Sequence, residues 1–216
     1  MSIKDEIVKV AHLVYQNKFV SAFDGNISAL TENNTILITR SGVCKGEIKP
    51  EDILEIDFDG NLISGNGKIS TENKLHRFIY SKREDVKAVV HCHPIYSTAF
   101  TLIGEGFTDN YFPEVLLTIG KVPLCNYATP STDEITDSIK NFVNDHNALL
   151  LQNHGAVTFG TSVLDAYYKM EKLEHSAKTL FLARLLGEPR KLNEQEIQKL
   201  ISIAESTYGI KKVYNS

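Results

Sequence analysis

Apolar positions at Ile7, Val8, Val10, Ala11, Val14 and Tyr15 recur at three- and four-residue spacing, and they predict an amphipathic helix over about 3–18. After Asp24-Gly25-Asn26 the period shortens to that of strands. Residues 27–30 and 35–39 read as two short strands joined by the polar turn Glu32-Asn33-Asn34, and 53–58 as a third stopped by Asp59-Gly60. The loop Gly65-Asn66-Gly67-Lys68 runs into Ser70-Thr71-Glu72, a helix-start signal, and Leu75, Phe78 and Ile79 carry a helix over about 72–82. The run 86–91 is a strand, 95–103 a short helix after Pro94, and 104–120 is rich in loops. Residues 122–126 are strand-like, and Ser131 or Thr132 caps a helix to about 145. Strands at 148–152 and 156–159 flank Asn153-His154-Gly155. A long helix over 162–186 ends at Gly187-Glu188-Pro189, and a last helix covers about 193–206. Several strands come in hairpin-like pairs instead of alternating with helices. The pattern therefore predicts an α/β fold on a mixed, largely antiparallel sheet flanked by helices, not a doubly wound parallel sheet.

No repeat, low-complexity segment or linker interrupts the 216 residues, so one domain over 1–216 is expected. A net charge of −4 argues against a general nucleic-acid surface. No run approaches the roughly 18 apolar residues that a membrane span needs. The start, Met1-Ser2-Ile3-Lys4-Asp5-Glu6, has acidic residues where a secretory signal is apolar, which fits an unprocessed protein. Cys44, Cys92 and Cys125 are odd in number, widely spaced and without a CxxC. They fit reduced thiols, so a cytoplasmic protein is expected.

The candidate chemistry lies at strand ends. His91 and His93 close an apolar run, and residues two apart on a strand share a face, so both imidazoles project together while Cys92 turns away as a buried structural thiol. His154 follows a second apolar run. Three neutral nitrogens of this kind suit a catalytic zinc site, which commonly keeps a position open for water or substrate. Glu72 at a helix start reads as a cap, a fourth metal ligand or a proton-transfer group. Metal would lower its pKa and burial would raise it. His76, four residues on, is either a support for the site or structural. His12, His146 and His175 have no motif around them.

Three further loops offer backbone amides and hydroxyls: Gly25-Asn26-Ile27-Ser28, Thr39-Arg40-Ser41-Gly42 and Ser70-Thr71-Glu72. They lack a Walker lysine, which suits one phosphate monoester better than a nucleoside triphosphate, and GxGxxG is absent. No lysine reads as a desolvated member of this cluster.

These motifs, with Gly67-Lys68-Ile69 leading into Ser70 and Gly155 after His154, resemble in content and order those of the class II aldolase/adducin family over nearly the whole chain. The resemblance implies a three-layer α/β/α sandwich on a mostly antiparallel sheet. It places one zinc ion per subunit on His91, His93 and His154, with Glu72 as a further ligand and the catalytic group. It assigns substrate phosphate to Gly25 and Asn26, Ser41 and Gly42, and Ser70 and Thr71. The implied partner is a small sugar phosphate, bound in a homotetramer with active sites between neighbouring subunits. The implied activity is zinc-dependent, reversible cleavage of a ketose 1-phosphate such as L-fuculose 1-phosphate to dihydroxyacetone phosphate and an aldehyde. Dehydratases and sugar-acid-phosphate decarboxylases of the family keep the same histidines and glutamate. Its 4-epimerases carry aspartate at the position of Glu72, and its non-catalytic adducin-like binding proteins lack the full histidine set. One departure concerns the aldolases' intersubunit tyrosine: the matching position falls in Phe112-Pro113-Glu114, beside Tyr111.

Overall fold

The computed structural model describes residues 1–208. Eight strands form one sheet: β1 (Asn26–Leu30), β2 (Ile36–Thr39), β3 (Ile53–Ile56), β4 (Leu62–Ser64), β5 (Ala88–Cys92), β6 (Leu124–Cys125), β7 (Ala148–Leu151) and β8 (Gly155–Gly160). Their order is β4-β3-β2-β1-β5-β8-β7-β6. Every pairing is antiparallel except β6 with β7, so the mixed sheet expected from the hairpin-like pattern is the one observed. The helices are α1 (Ile3–Gln16), α2 (Asn73–Lys82), α3 (Ile95–Leu102), α4 (Pro113–Thr118), α5 (Glu134–Ile139), α6 (Val163–Leu186) and α7 (Glu194–Tyr208).

Strand alternation sends successive side chains into two cores, one on each face. Val90 and Cys92 enter a core shared with Ile7, Val10 and Val14 of α1, Phe100 of α3 and Met170 and Leu173 of α6. Val89 enters the opposite core with Leu75 and Ile79 of α2 and Ile135 and Ile139 of α5. Helices thus cover both faces, the three-layer arrangement expected above. Both cores are built from residues with almost no exposure, and each fully buried Leu, Ile or Val contributes about 1.5–3 kcal/mol. Among the described residues no helix is long and apolar enough to cross a membrane.

Four local expectations change. The loop-rich 104–120 stretch contains α4, started by Pro113 with its pre-set φ, and a bridge from Phe107 to Val122. The helix expected to 145 stops at Ile139, and the residues beyond it include Asn141, Asn144 and Asp145, which are weaker helix formers than Ala or Leu. Residues 122–126 shorten to the two-residue β6. The edge strand β4 was not anticipated. Its three residues are exposed, so no buried alternation marks it.

Candidate active site

The central strands bring the histidines together. His91 lies on β5 opposite Asn26 of β1, and β5 also pairs with β8, which starts one residue after His154. His93 sits just past β5, and its amide donates to the Phe19 carbonyl at 2.9 Å. The β7–β8 turn holds Asn153 at φ +57° and delivers His154. Gly155 is required there, because a Cβ would collide with the Cys92 carbonyl and the His93 ring. Gly25 is required for a similar reason: it stands at φ +72°, and a Cβ there would collide with Val20 and the His91 carbonyl. The chain beyond His93 is also anchored. Glu174 of α6 accepts from the Tyr96 and Ser97 amides at 2.8 Å each, which caps α3.

The three ring centroids lie 4.8–5.0 Å apart. One ligand atom from each ring can be chosen so that all fall within 4.8 Å of one another. His91 Nδ1 is 2.9 Å from the Ala156 carbonyl, which can only accept, so Nδ1 carries the hydrogen and Nε2 presents its lone pair. That Nε2 is 3.1 Å from His93 Nε2. Two nitrogens bound tetrahedrally to zinc at ~2.0–2.1 Å lie about 3.3 Å apart, so the spacing fits one ion between them.

Glu72 closes the group. Its Oε2 is 3.5 Å from His91 Nε2 and its Oε1 is 3.2 Å from His154 Nε2. Asn26 Nδ2 donates to Oε2 at 2.6 Å. Glu72 is the residue that caps α2, yet its side chain makes no capping bond. The capping reading of this glutamate therefore gives way to one in which the carboxylate belongs to the histidine cluster.

Burial opposes the charge on Glu72. The charge of His91, the hydrogen bond and charge of His154 and the Asn26 amide outweigh it, and hold the carboxyl well below the usual carboxylate range. Burial pushes His91 down to about 4 against the opposing charge of Glu72. His93 falls to about 4 through burial and then through the charges of His91 and His154. Burial takes His76 to about 4 as well. These rings are neutral at neutral pH, the form in which an imidazole can ligate a metal. The sign for stability follows. Between about pH 4 and 6.5 the unfolded chain binds protons on these rings that the folded, metal-free chain does not, so acidification destabilises it. Urea midpoints of chelator-treated protein are expected to fall steadily from pH 6.5 to 4. A flat profile over that window would contradict the burial of these rings.

A cleft of about 380 Å³ opens over the cluster. It brings together the sequence-predicted Gly25, Asn26, Ser41, Ser70, Thr71, Glu72, His93 and His154. His91 lies beneath it with no exposure, and Gly42 lies beside Ser41 without lining it. The Ser41 amide donates to the Lys68 carbonyl, which ties the second loop to the third but uses that amide. The Arg40 Nε atom is held by Asp52 at 2.6 Å.

Cleft residues that the sequence did not place in the site are Phe23, Asp24, Lys45, Pro130 and Ser131. Lys45 is 1 % exposed and donates to the Phe23 and Val43 carbonyls at 3.1 and 3.2 Å. Burial lowers its pKa. The expectation that no desolvated lysine belongs to the cluster is therefore wrong. Its only signal was a lysine between the small-residue turns at Gly42 and Gly46. Ser131 stands at φ +69° and bonds Thr71 Oγ1 at 2.6 Å, so it builds the cleft instead of capping a helix. Cys92 is fully buried and its thiol is pushed up by desolvation, as its strand position implied. His12 and His146 donate to the backbone carbonyls of Ile48 and Phe142. Tyr111 packs against Phe112 and does not line this cleft.

Residues 5–181 match the family model described as the class II aldolase and adducin N-terminal domain. A 3-oxo-tetronate 4-phosphate decarboxylase of Escherichia coli is 34% identical over 186 residues, covering 84% of this chain and 87% of that protein. An L-fuculose phosphate aldolase of Methanococcus maripaludis is 34% identical over 181 residues, covering 84% of this chain and 97% of that protein. A solved L-fuculose 1-phosphate aldolase superposes with a TM-score of 0.85 at 28% identity, covering 93% of this chain and 94% of that one.

Proposed function

The chain belongs to the class II aldolase and adducin family, and from that premise we propose that it is a zinc-dependent lyase that reversibly cleaves a ketose 1-phosphate of the L-fuculose 1-phosphate kind. The observation that carries this reading is the convergence of three imidazoles, two of them against one carboxylate, beside a cleft lined by small polar loops. His91, His93 and His154 would hold the ion, with Glu72 as a further ligand before substrate binds. A zinc ion so held supplies Lewis-acid charge against which negative charge can develop on a carbonyl oxygen.

The chain's own residues do the rest. Gly25, Asn26, Ser41, Gly42, Ser70 and Thr71 bind the substrate phosphate and hold the sugar in register, a remote anchor whose binding energy is realised at the reacting carbons. When the carbon–carbon bond breaks, the hydroxyl of the departing carbon releases its proton to solvent as its oxygen becomes the aldehyde carbonyl, and the electron pair of the broken bond passes onto the retained carbonyl as an enediolate. The Glu72 carboxylate gives and takes the proton at that carbon. The departing half is an aldehyde, and the retained half is dihydroxyacetone phosphate. The whole chain acts as one catalytic domain in a cytoplasmic homotetramer, with active sites completed between neighbouring subunits.

A second reading has its own support. Decarboxylation breaks a carbon–carbon bond beside a carbonyl with the same electron movement and releases carbon dioxide in place of an aldehyde. The 34% identical relative with that activity favours it, as does Pro113 where the fuculose-phosphate aldolases carry their intersubunit tyrosine. One assay separates the two: L-fuculose 1-phosphate, other ketose 1-phosphates and 3-oxo-tetronate 4-phosphate are each offered with and without a chelator. Triose phosphate released from a ketose 1-phosphate, abolished by chelation and restored by zinc, is the expected result. Carbon dioxide without triose phosphate would move the assignment to decarboxylation. Turnover that survives complete metal removal would end both readings.

A further inference from the structure

Glu72, His76 and Tyr80 stand four residues apart along α2 and its cap, and Asn26 and Ser28 stand two apart on one face of β1. The two rows interlock. Asn26 Nδ2 reaches Glu72 Oε2 at 2.6 Å, and His76 Nε2 meets Asn26 Oδ1. Ser28 Oγ lies 2.6 Å from His76 Nδ1 and 2.7 Å from the Tyr80 hydroxyl. Ser28 and His76 have no exposure, Asn26 4 % and Tyr80 6 %, so the chain of contacts is shielded from solvent until it reaches the cleft at Glu72.

The direction of each bond follows from that end. A carboxylate only accepts, so Asn26 turns its NH2 group to Glu72 and its carbonyl oxygen to His76. That oxygen also only accepts, so His76 carries its hydrogen on Nε2 and leaves Nδ1 as an acceptor. Ser28 then donates to Nδ1 and accepts from Tyr80. Four side chains form a one-way series of donors pointing at the Glu72 carboxylate, an arrangement in which each bond polarises the next.

We propose that His76 is a positioning residue: its Nε2–H holds the Asn26 amide in the one orientation that donates to Glu72, an inference that rests on Glu72 being the proton carrier. With the amide reversed, a carbonyl oxygen would face the carboxylate, and Glu72 would be driven from its place among the histidines. Asn26 thereby joins two tasks, because the same residue lies in the first of the phosphate-binding loops.

The test has two parts. In metal-free wild-type protein, ¹⁵N spectra of labelled histidine are expected to show His76 with a pyrrole-type Nε2 and a pyridine-type Nδ1. The opposite tautomer would overturn the proposal whatever the enzyme turns over. In the zinc-loaded enzyme, His76→Gln restores an amide N–H about where Nε2 lies, whereas His76→Asn reaches only the Ser28 side. His76→Asn is expected to lose about 10- to 100-fold in kcat with little change in KM or zinc content, and His76→Gln to recover most of it. Equal activity of the two variants, or a loss confined to thermal stability, would reduce His76 to a packing residue. If wild type cleaves none of the substrates, the Glu72 reading fails, and the tautomer result still decides how the Asn26 amide is held.

Discussion

A His93→Ala protein is expected to fold, to hold no stoichiometric divalent cation, and to lose at least about 10³-fold in kcat/KM, roughly 4 kcal/mol of transition-state stabilisation. The argument begins with burial. The His93 side chain is 26% exposed and sits beyond the end of β5, so its removal opens no core cavity. The β5 ladder keeps both neighbours, because the backbone bond from the residue 93 amide to the Phe19 carbonyl does not depend on the ring. The chemistry is less forgiving. Catalytic zinc sites commonly rest on three protein ligands that stay in place, and the variant keeps only the imidazoles of His91 and His154 beside Glu72, a ligand that gives way when substrate binds. Elemental analysis of the purified variant, beside kcat/KM with added zinc, checks this. A full complement of metal in His93→Ala would remove His93 from the ligand set.

Glu72→Gln separates binding from proton transfer. The replacement has the same shape, can still accept from Asn26, and leaves three imidazoles in place, so zinc should remain bound. It cannot carry a proton between substrate and site. Loss of a positioned general acid–base costs about 10²–10⁴-fold, and the whole loss should fall on kcat. A variant that loses metal and turnover together would make Glu72 chiefly a ligand. A variant with wild-type kcat would assign the proton to another group, and the buried Lys45 in the same cleft is then the residue to replace.

Legibility followed chemistry that repeats along the chain. His91 and His93 were readable because a two-residue spacing at the end of a β-branched run has one geometric meaning. The cleft-lining loops at Gly25, Ser41 and Ser70 are readable because glycine beside small polar residues interrupts apolar periods. What escaped were residues whose role depends on which segments meet. Lys45 looks like an ordinary surface lysine until the Phe23 and Val43 carbonyls fold over its ammonium. Ser131 looks like a helix cap until the chain places it against Thr71. His76 shares a helix stripe with Glu72, but the sequence does not say that Asn26 and Ser28 arrive opposite that stripe. In the fold, hairpin-like pairing foretold the antiparallel sheet. The exposed β4 and the short β6 lack the buried alternation that would announce them.

The place of β5 in the strand order has a consequence for how the centre can move. With β1 on one edge and β8 on the other, β5 has no free side, and all five of its residues are buried. Strands in that position open only with the whole domain, whereas edges and loops open on their own at little cost. The His91 end of the centre is therefore as rigid as the protein itself. Any local breathing that admits or releases an ion belongs to His93 beyond the strand end and to the β7–β8 turn that carries His154. Exchange of an ion held there would thus be a property of two short connections, while its retention would be a property of the fold.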